Sequence, residues 1–145
     1  MNMTVGMASD HAGFELKTAL KEYLSAKGYE VLDYGTDSGE SVDYPDFAHP
    51  LANAVEQGTV SFGIAICGTG NGVCMTANKH HGVRGALCWM PEIAALAKQH
   101  NNANVLAMPA RFISVDQAKK ILEAYMNASF EGGRHRRRIN KIAVK

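Results

Sequence analysis

The sequence predicts an α/β fold, a Rossmann-like three-layer sandwich with a five-stranded parallel sheet, as a single domain over residues 1–145. Three observations predict it. Short apolar runs alternate five times with segments of helical periodicity, the order that builds a parallel sheet covered by helices. The run Phe62-Gly-Ile-Ala-Ile-Cys67 is apolar at almost every position, as strands buried on both faces are. With 145 residues, 46% of them hydrophobic and 20% charged, the chain is long enough for one core and too apolar for disorder.

The elements follow in order. Thr4-Val-Gly-Met-Ala8 reads as a buried strand, and Leu16, Leu20, Tyr23 and Leu24 mark one face of a helix closing near Gly28. Glu30–Tyr34 is a second strand, followed by a polar loop over 35–44. Pro45 opens a helix carrying Ala48, Leu51, Ala52 and Val55. The central strand ends at Cys67, and Gly68-Thr-Gly-Asn-Gly72 opens a third helix running towards Asn78. Val83–Leu87 is a weaker fourth strand. Pro91 suits the first turn of a fourth helix, where its missing N–H is not needed. Asn104–Met108 is the fifth strand, and Ser114 with Gln117 spells a capping box for the helix carrying Ala118, Ile121, Leu122 and Tyr125. A basic carboxyl-terminal helix is expected over about 131–145, after Gly132-Gly133.

Charge is distributed unevenly. Residues 1–130 carry nine Lys/Arg against thirteen Asp/Glu, and residues 131–145 carry six Lys/Arg against Glu131 alone. A basic tail of this kind asks for an anionic partner. Nucleic acid fits poorly, because the rest of the chain is acidic and no aromatic stacking platform is present. A membrane surface fits no better, since Ile139 and Ile142 are the only large apolar anchors nearby. No apolar run approaches the roughly 18 residues of a membrane span, and the amino-terminal stretch from Met1 has no basic leader. Cys67, Cys74 and Cys88 show no CxxC spacing, which points to a reducing compartment, the cytoplasm, rather than a disulfide or zinc scaffold. A phosphorylated small molecule is the third candidate partner for the basic tail.

Ligands of parallel sheets collect at the carboxyl ends of the strands. Those ends are Ser9-Asp-His-Ala-Gly13, Cys67–Gly72, Cys88-Trp89 and Pro109-Ala-Arg111. Glycines at 68, 70 and 72 let backbone N–H groups approach an anion closely at a helix start. The spacing is neither GxGxxG nor that of a P-loop, so dinucleotide and nucleoside-triphosphate sites are disfavoured. Cys67, placed just before those N–H groups, is a candidate base or nucleophile, whereas Cys74 and Cys88 read as small buried hydrophobes. His80 and His81 are adjacent and form a poor metal pair, and His49 suits a structural or surface role. His11 and His100 occupy turns beside strand ends and read as sharing one sheet edge. Arg134 and Arg138, four apart on one helix face, suit convergence on one anion, with Arg111 as a third candidate and Arg136 and Arg137 left to solvent.

Together these segments resemble the B-type ribose-5-phosphate isomerases, a family that also includes galactose- and allose-6-phosphate isomerases. The pieces that carry the resemblance are Ser9–Gly13, Asp43-Tyr-Pro-Asp46, Cys67–Gly72, Ala77-Asn-Lys79, His100-Asn-Asn-Ala-Asn-Val-Leu106, Arg111 and Gly132-Gly-Arg-His135 through Ile139, covering essentially the whole chain. The resemblance implies an aldose–ketose isomerase acting through an enediolate. Cys67 would shuttle the proton between C2 and C1, with Thr69 in the catalytic set, and His100 would open the furanose ring. Gly68, Gly70, Asn71 and Gly72 would hold the enediolate oxygens. Asp10, His11, Tyr44 and Asn101 would contact the sugar phosphate, with Arg111, Arg134 and Arg138 clamping the phosphate. It implies no metal and no cofactor, and a homodimer or tetramer whose sites lie between subunits. Val73 stands where some members place a glutamate, and Pro109 where a small residue, usually glycine, precedes the Arg111 turn. A hexose-6-phosphate isomerase and a non-catalytic sugar-phosphate sensor are the alternatives.

Overall fold

Five strands form one parallel sheet in the computed structural model, which describes residues 3–145; the first two residues of the stretch read above for a leader lie outside it. The strands are β1 (Thr4–Ser9), β2 (Glu30–Asp33), β3 (Phe62–Cys67), β4 (Gly85–Leu87) and β5 (Val105–Pro109). The helices are α1 (Phe14–Ala26, after a short 3₁₀ turn at His11–Gly13), α2 (Pro45–Glu56), α3 (Asn71–Ala77), α4 (Pro91–Asn101), α5 (Val115–Asn127) and α6 (Arg134–Ile139). Strand order is β2-β1-β3-β5-β4. The connection after β1 runs to one side and β3 lies on the other, so the carboxyl ends of β1 and β3 flank the switch point where such sheets bind ligands.

Side-chain alternation divides the core. Val5, Met7, Ile64, Ile66, Leu106 and Met108 pack under α1, α4 and α5. Ala8, Ala65, Cys67, Val105 and Ala107 point to the other face, under α2 and α3. The residues on this second face are small for a reason. A Cβ on Gly6 would meet Leu51 Cδ1 at 2.7 Å and one on Gly63 would meet it at 3.0 Å, so bare glycines let α2 settle on the sheet. The capping box on α5 and Pro91 in the first turn of α4 are as expected.

Two elements are shorter than the sequence suggests. β4 begins at Gly85 because Arg84 and Gly85 donate their N–H groups to Asn104 Oδ1 (2.7 Å) and Asn78 Oδ1 (2.7 Å). α3 leaves the glycine loop at Asn71 and is capped at Asn78, as the sequence suggests. α6 covers 134–139 rather than 131–145: Gly132 and Gly133 both take positive φ before it, and four arginines within one and a half turns repel one another. Among the described residues no helix is long and apolar enough to cross a membrane.

Candidate active site

The chain order delivers two clusters to opposite edges of the sheet. At the carboxyl edge, Asp10 follows β1 and its Oδ1 accepts the N–H groups of Ala12 (3.0 Å) and Gly13 (3.2 Å). One carboxylate oxygen is thereby committed to capping the turn that carries His11. His11 Nδ1 accepts the N–H of Val42 at 3.2 Å, which puts the proton of the neutral ring on Nε2. Cys67 closes β3, is 5% exposed, and accepts the Ala110 N–H at its carbonyl (2.9 Å). Burial pushes the other two thiols up, Cys88 to about 12 and Cys74 in the same direction, so both are inert at neutral pH.

The glycine loop that follows is shaped by φ and by close neighbours. Gly70 sits at φ +76°, a left-handed conformation that favours glycine. Thr69 Oγ1 accepts the Asn71 N–H at 3.2 Å, which removes Asn71 from the donors expected for an oxyanion. The N–H groups of Gly70 and Gly72 have no acceptor among the described residues. Gly72 has no Cβ because the Tyr44 ring lies there: a Cβ would fall 2.5 Å from its Cζ. Arg111 is drawn over Gly68 by its N–H, donated to Gly68 O at 3.0 Å, and its Nε and Nη1 would lie 3.1 Å from a Cβ on Gly68. Pro109 ends β5 opposite Cys67 and beyond the last β4 partner, so its missing N–H costs the ladder nothing there.

His100 does not share this edge with His11, contrary to the sequence reading. α4 starts beyond β4 and ends before β5 begins, so His100 and Asn101 lie at the amino edge. Periodicity locates a helix but not the edge to which its last turn returns. Asn101 donates nothing to the carboxyl-edge cluster; its carbonyl accepts Arg84 Nε at 3.2 Å. α6 packs beside the end of α4, with Glu131 N–H donating to Gln99 O at 3.0 Å, so Arg134 and Arg138 belong to the amino-edge group. His135, absent from the expected set, stacks on His100 with centroids 4.4 Å apart and planes 9° apart.

His100, Glu131 and His135 bring potential metal-ligand atoms within 4.8 Å of one another, the one such group among the described residues. The two rings are parallel, however, so their nitrogen lone pairs lie in separate planes and do not converge on a common ion. A second chain of contacts was also unforeseen: His49 Nδ1 lies 2.7 Å from His80 Nε2, and His80 Nδ1 lies 3.0 Å from Glu56 Oε1. His80 is therefore oriented by a carboxylate, although spacing alone gave it no partner.

The sequence pattern of the ribose/galactose isomerase family matches residues 5–142. The chain belongs to that family. Ribose-5-phosphate isomerase B from Escherichia coli K12 is 44% identical over 140 residues, covering 97% of this chain and 94% of its own. Among solved ribose/galactose isomerase structures, the ribose-5-phosphate isomerase from Thermotoga maritima superposes with a TM-score of 0.97 at 48% identity, covering 99% of both chains. The Mycoplasma genitalium ribose-5-phosphate isomerase B with bound ribulose-5-phosphate superposes at 0.94 with 46% identity, covering 98% of this chain and 95% of that one. The five-stranded parallel fold is thus that of the family.

Proposed function

We propose that this protein interconverts ribose 5-phosphate and ribulose 5-phosphate through an enediolate, with Cys67 as the proton-shuttling base. One observation carries the reading. Cys67 ends the central strand directly before the N–H groups of Gly70 and Gly72, with the Arg111 guanidinium lying over the intervening Gly68. A proton taken from C2 of the open aldose leaves an enediolate, whose oxygens those N–H groups receive. Such preorganised donors are worth about 3 kcal/mol each. Return of the proton to C1, with the C2 hydroxyl proton passing to the C1 oxygen, gives the ketose. The two sugars have the same oxidation level, so no redox cofactor is consumed. Thr69 holds the Asn71 end of the cradle, and Asp10, His11 and Tyr44 border the sugar.

His100 opens the furanose ring, and Arg134 and Arg138 join Arg111 on the phosphate, but only across an interface between two copies. A dimer, or a tetramer built from two dimers, supplies the amino-edge cluster of one copy to the carboxyl edge of the other. Exposed Trp89, Met90, Met75 and Phe112 on the described surface are apolar area suited to such an interface. Three free cysteines suit a reducing, cytoplasmic setting. The deciding experiment compares kcat/KM for ribose 5-phosphate, allose 6-phosphate and galactose 6-phosphate on one preparation in D₂O. Preference for the pentose with deuterium entering the product supports the reading; preference for a hexose replaces the substrate. Binding without turnover or exchange would make the chain a sensor.

A further inference from the structure

Glu131 and His135 surround the residue assigned to ring opening and have no part in the mechanism so far. One carboxylate oxygen, Glu131 Oε1, lies 3.5 Å from His135 Nε2 and 3.9 Å from His100 Nε2, so it faces the same edge of both stacked rings. Both supports are anchored: Glu131 N–H bonds Gln99 O at 3.0 Å, and His135 N–H bonds Gly132 O at 3.1 Å. His135 is buried, whereas 41% of the His100 side chain is exposed. Burial, the neighbouring His100 and the Arg134 guanidinium hold the His135 imidazole below its ordinary value. The floor of the stack is therefore uncharged at neutral pH. His100 Nδ1 has no hydrogen-bond partner among the described residues, which leaves that edge for substrate.

We propose that Glu131 and His135 are positioning residues for furanose opening, fixing the plane of His100 so that its Nδ1 edge meets the ring oxygen of the sugar. The proposal rests on the reading of His100 as the ring-opening group. In that step the bond from C1 to the ring oxygen breaks, the ring oxygen takes a proton, the C1 hydroxyl gives one up, and C1 becomes the aldehyde carbon. Orientation matters because a displacement of about 1 Å in a reacting group costs on the order of 10²-fold in rate.

Ribulose 5-phosphate separates ring chemistry from proton transfer. Its only route to a furanose is through the C5 oxygen, which the phosphate blocks, so exchange of its C1 hydrogen in D₂O needs no ring step. Glu131→Gln and His135→Ala should lower kcat for ribose 5-phosphate roughly 10- to 100-fold with KM within about threefold. Exchange into ribulose 5-phosphate should stay within about twofold of wild type, and His135→Phe, which keeps a flat ring, should recover most of kcat. Equal loss of both signals would mean a merely structural role and overturn the proposal, as would no loss in either. His100→Gln is the reference and should show the same split. If it does not, the ring-opening reading of His100 fails; if it does while the Glu131 and His135 variants do not, only the positioning proposal fails.

Discussion

Cys67 and His100 stand at opposite edges of one sheet: Cys67 closes β3, and His100 lies in the last turn of α4, just before β5 begins. The β3–β5 register runs from Gly63 opposite Val105 to Cys67 opposite Pro109, so roughly 13 Å of strand separates the edges. A substrate that meets both residues must lie between two copies. In a two-fold dimer each interface position occurs twice, giving two composite sites. Mixing Cys67→Ala with His100→Gln chains and allowing subunit exchange should therefore restore activity. Random hybrids contain one site with both residues native, so about a quarter of wild-type activity is expected. An exchanged mixture as inactive as its components would place both residues in one chain's site and refute the composite arrangement.

Cys67→Ala removes the proposed base while leaving the cradle in place. General acid–base groups typically contribute about 10²–10⁴-fold, so kcat should fall by that order with KM changing little. The check is steady-state kinetics beside a binding titration with a non-isomerisable sugar phosphate. Near-normal turnover would remove the thiol from the chemistry.

Gly68 and Gly70 separate two uses of glycine in the same loop. Gly68 does not take positive φ, and a Cβ there meets only the movable end of Arg111 at 3.1 Å. Gly68→Ala should fold normally and raise KM for the sugar phosphate by roughly 3- to 10-fold, because the guanidinium must shift by a few tenths of an ångström from a charge-assisted bond. Gly70 takes φ +76°, and a Cβ there would also press on the Met108 backbone at 3.1 Å. Gly70→Ala should lose about 1–3 kcal/mol of stability as well as activity. Thermal melts alongside KM measurements distinguish the two; identical behaviour of both variants would count against the assigned division.

The fold was legible because its signals are local. Five apolar runs, the Pro91 start and the Ser114–Gln117 box each need only neighbouring residues to be read, and each lies where expected. The carboxyl-edge cluster was legible for the same reason, since the residues after β1, β3 and β5 share an edge in any parallel sheet. His100 was misplaced because the edge it occupies depends on how far α4 returns antiparallel to the strands. Glu131 and His135 gave no signal of their own, since stacking on His100 depends on α6 docking against α4. Lys17 was invisible in a different way: hydropathy reads a lysine as solvated, yet it occupies the buried face of α1 beside Leu16 and Leu20.

Lys17 is 1% exposed, and its Nζ donates to Asp33 Oδ1 at 2.6 Å and Thr36 O at 2.8 Å. It pins the start of the loop that ends by presenting Val42 N–H to His11. Burial opposes the Asp33 charge, but the hydrogen bonds from Lys17 and the Gly35 N–H, with the charges of Lys17 and Lys21, hold its pKa below the ordinary value. The folded state therefore keeps Asp33 ionised at a pH where the unfolded chain binds a proton. That contribution is fully present above the unfolded Asp pKa of about 3.9 and is lost as pH falls through the folded value. Asp33→Asn strands a buried ammonium on one carbonyl and should cost about 2–3 kcal/mol at pH 7, less than a fully buried pair because Asp33 keeps 25% of its side chain in water. Lys17→Met removes the charge instead of stranding it and should cost less. Urea unfolding at pH 7, 5 and 3 tests both statements. The gap between wild type and Asp33→Asn should hold from pH 7 to 5 and close towards pH 3, whereas a gap independent of pH, or a Lys17→Met variant weaker than Asp33→Asn, would show that this pair does not fix the loop.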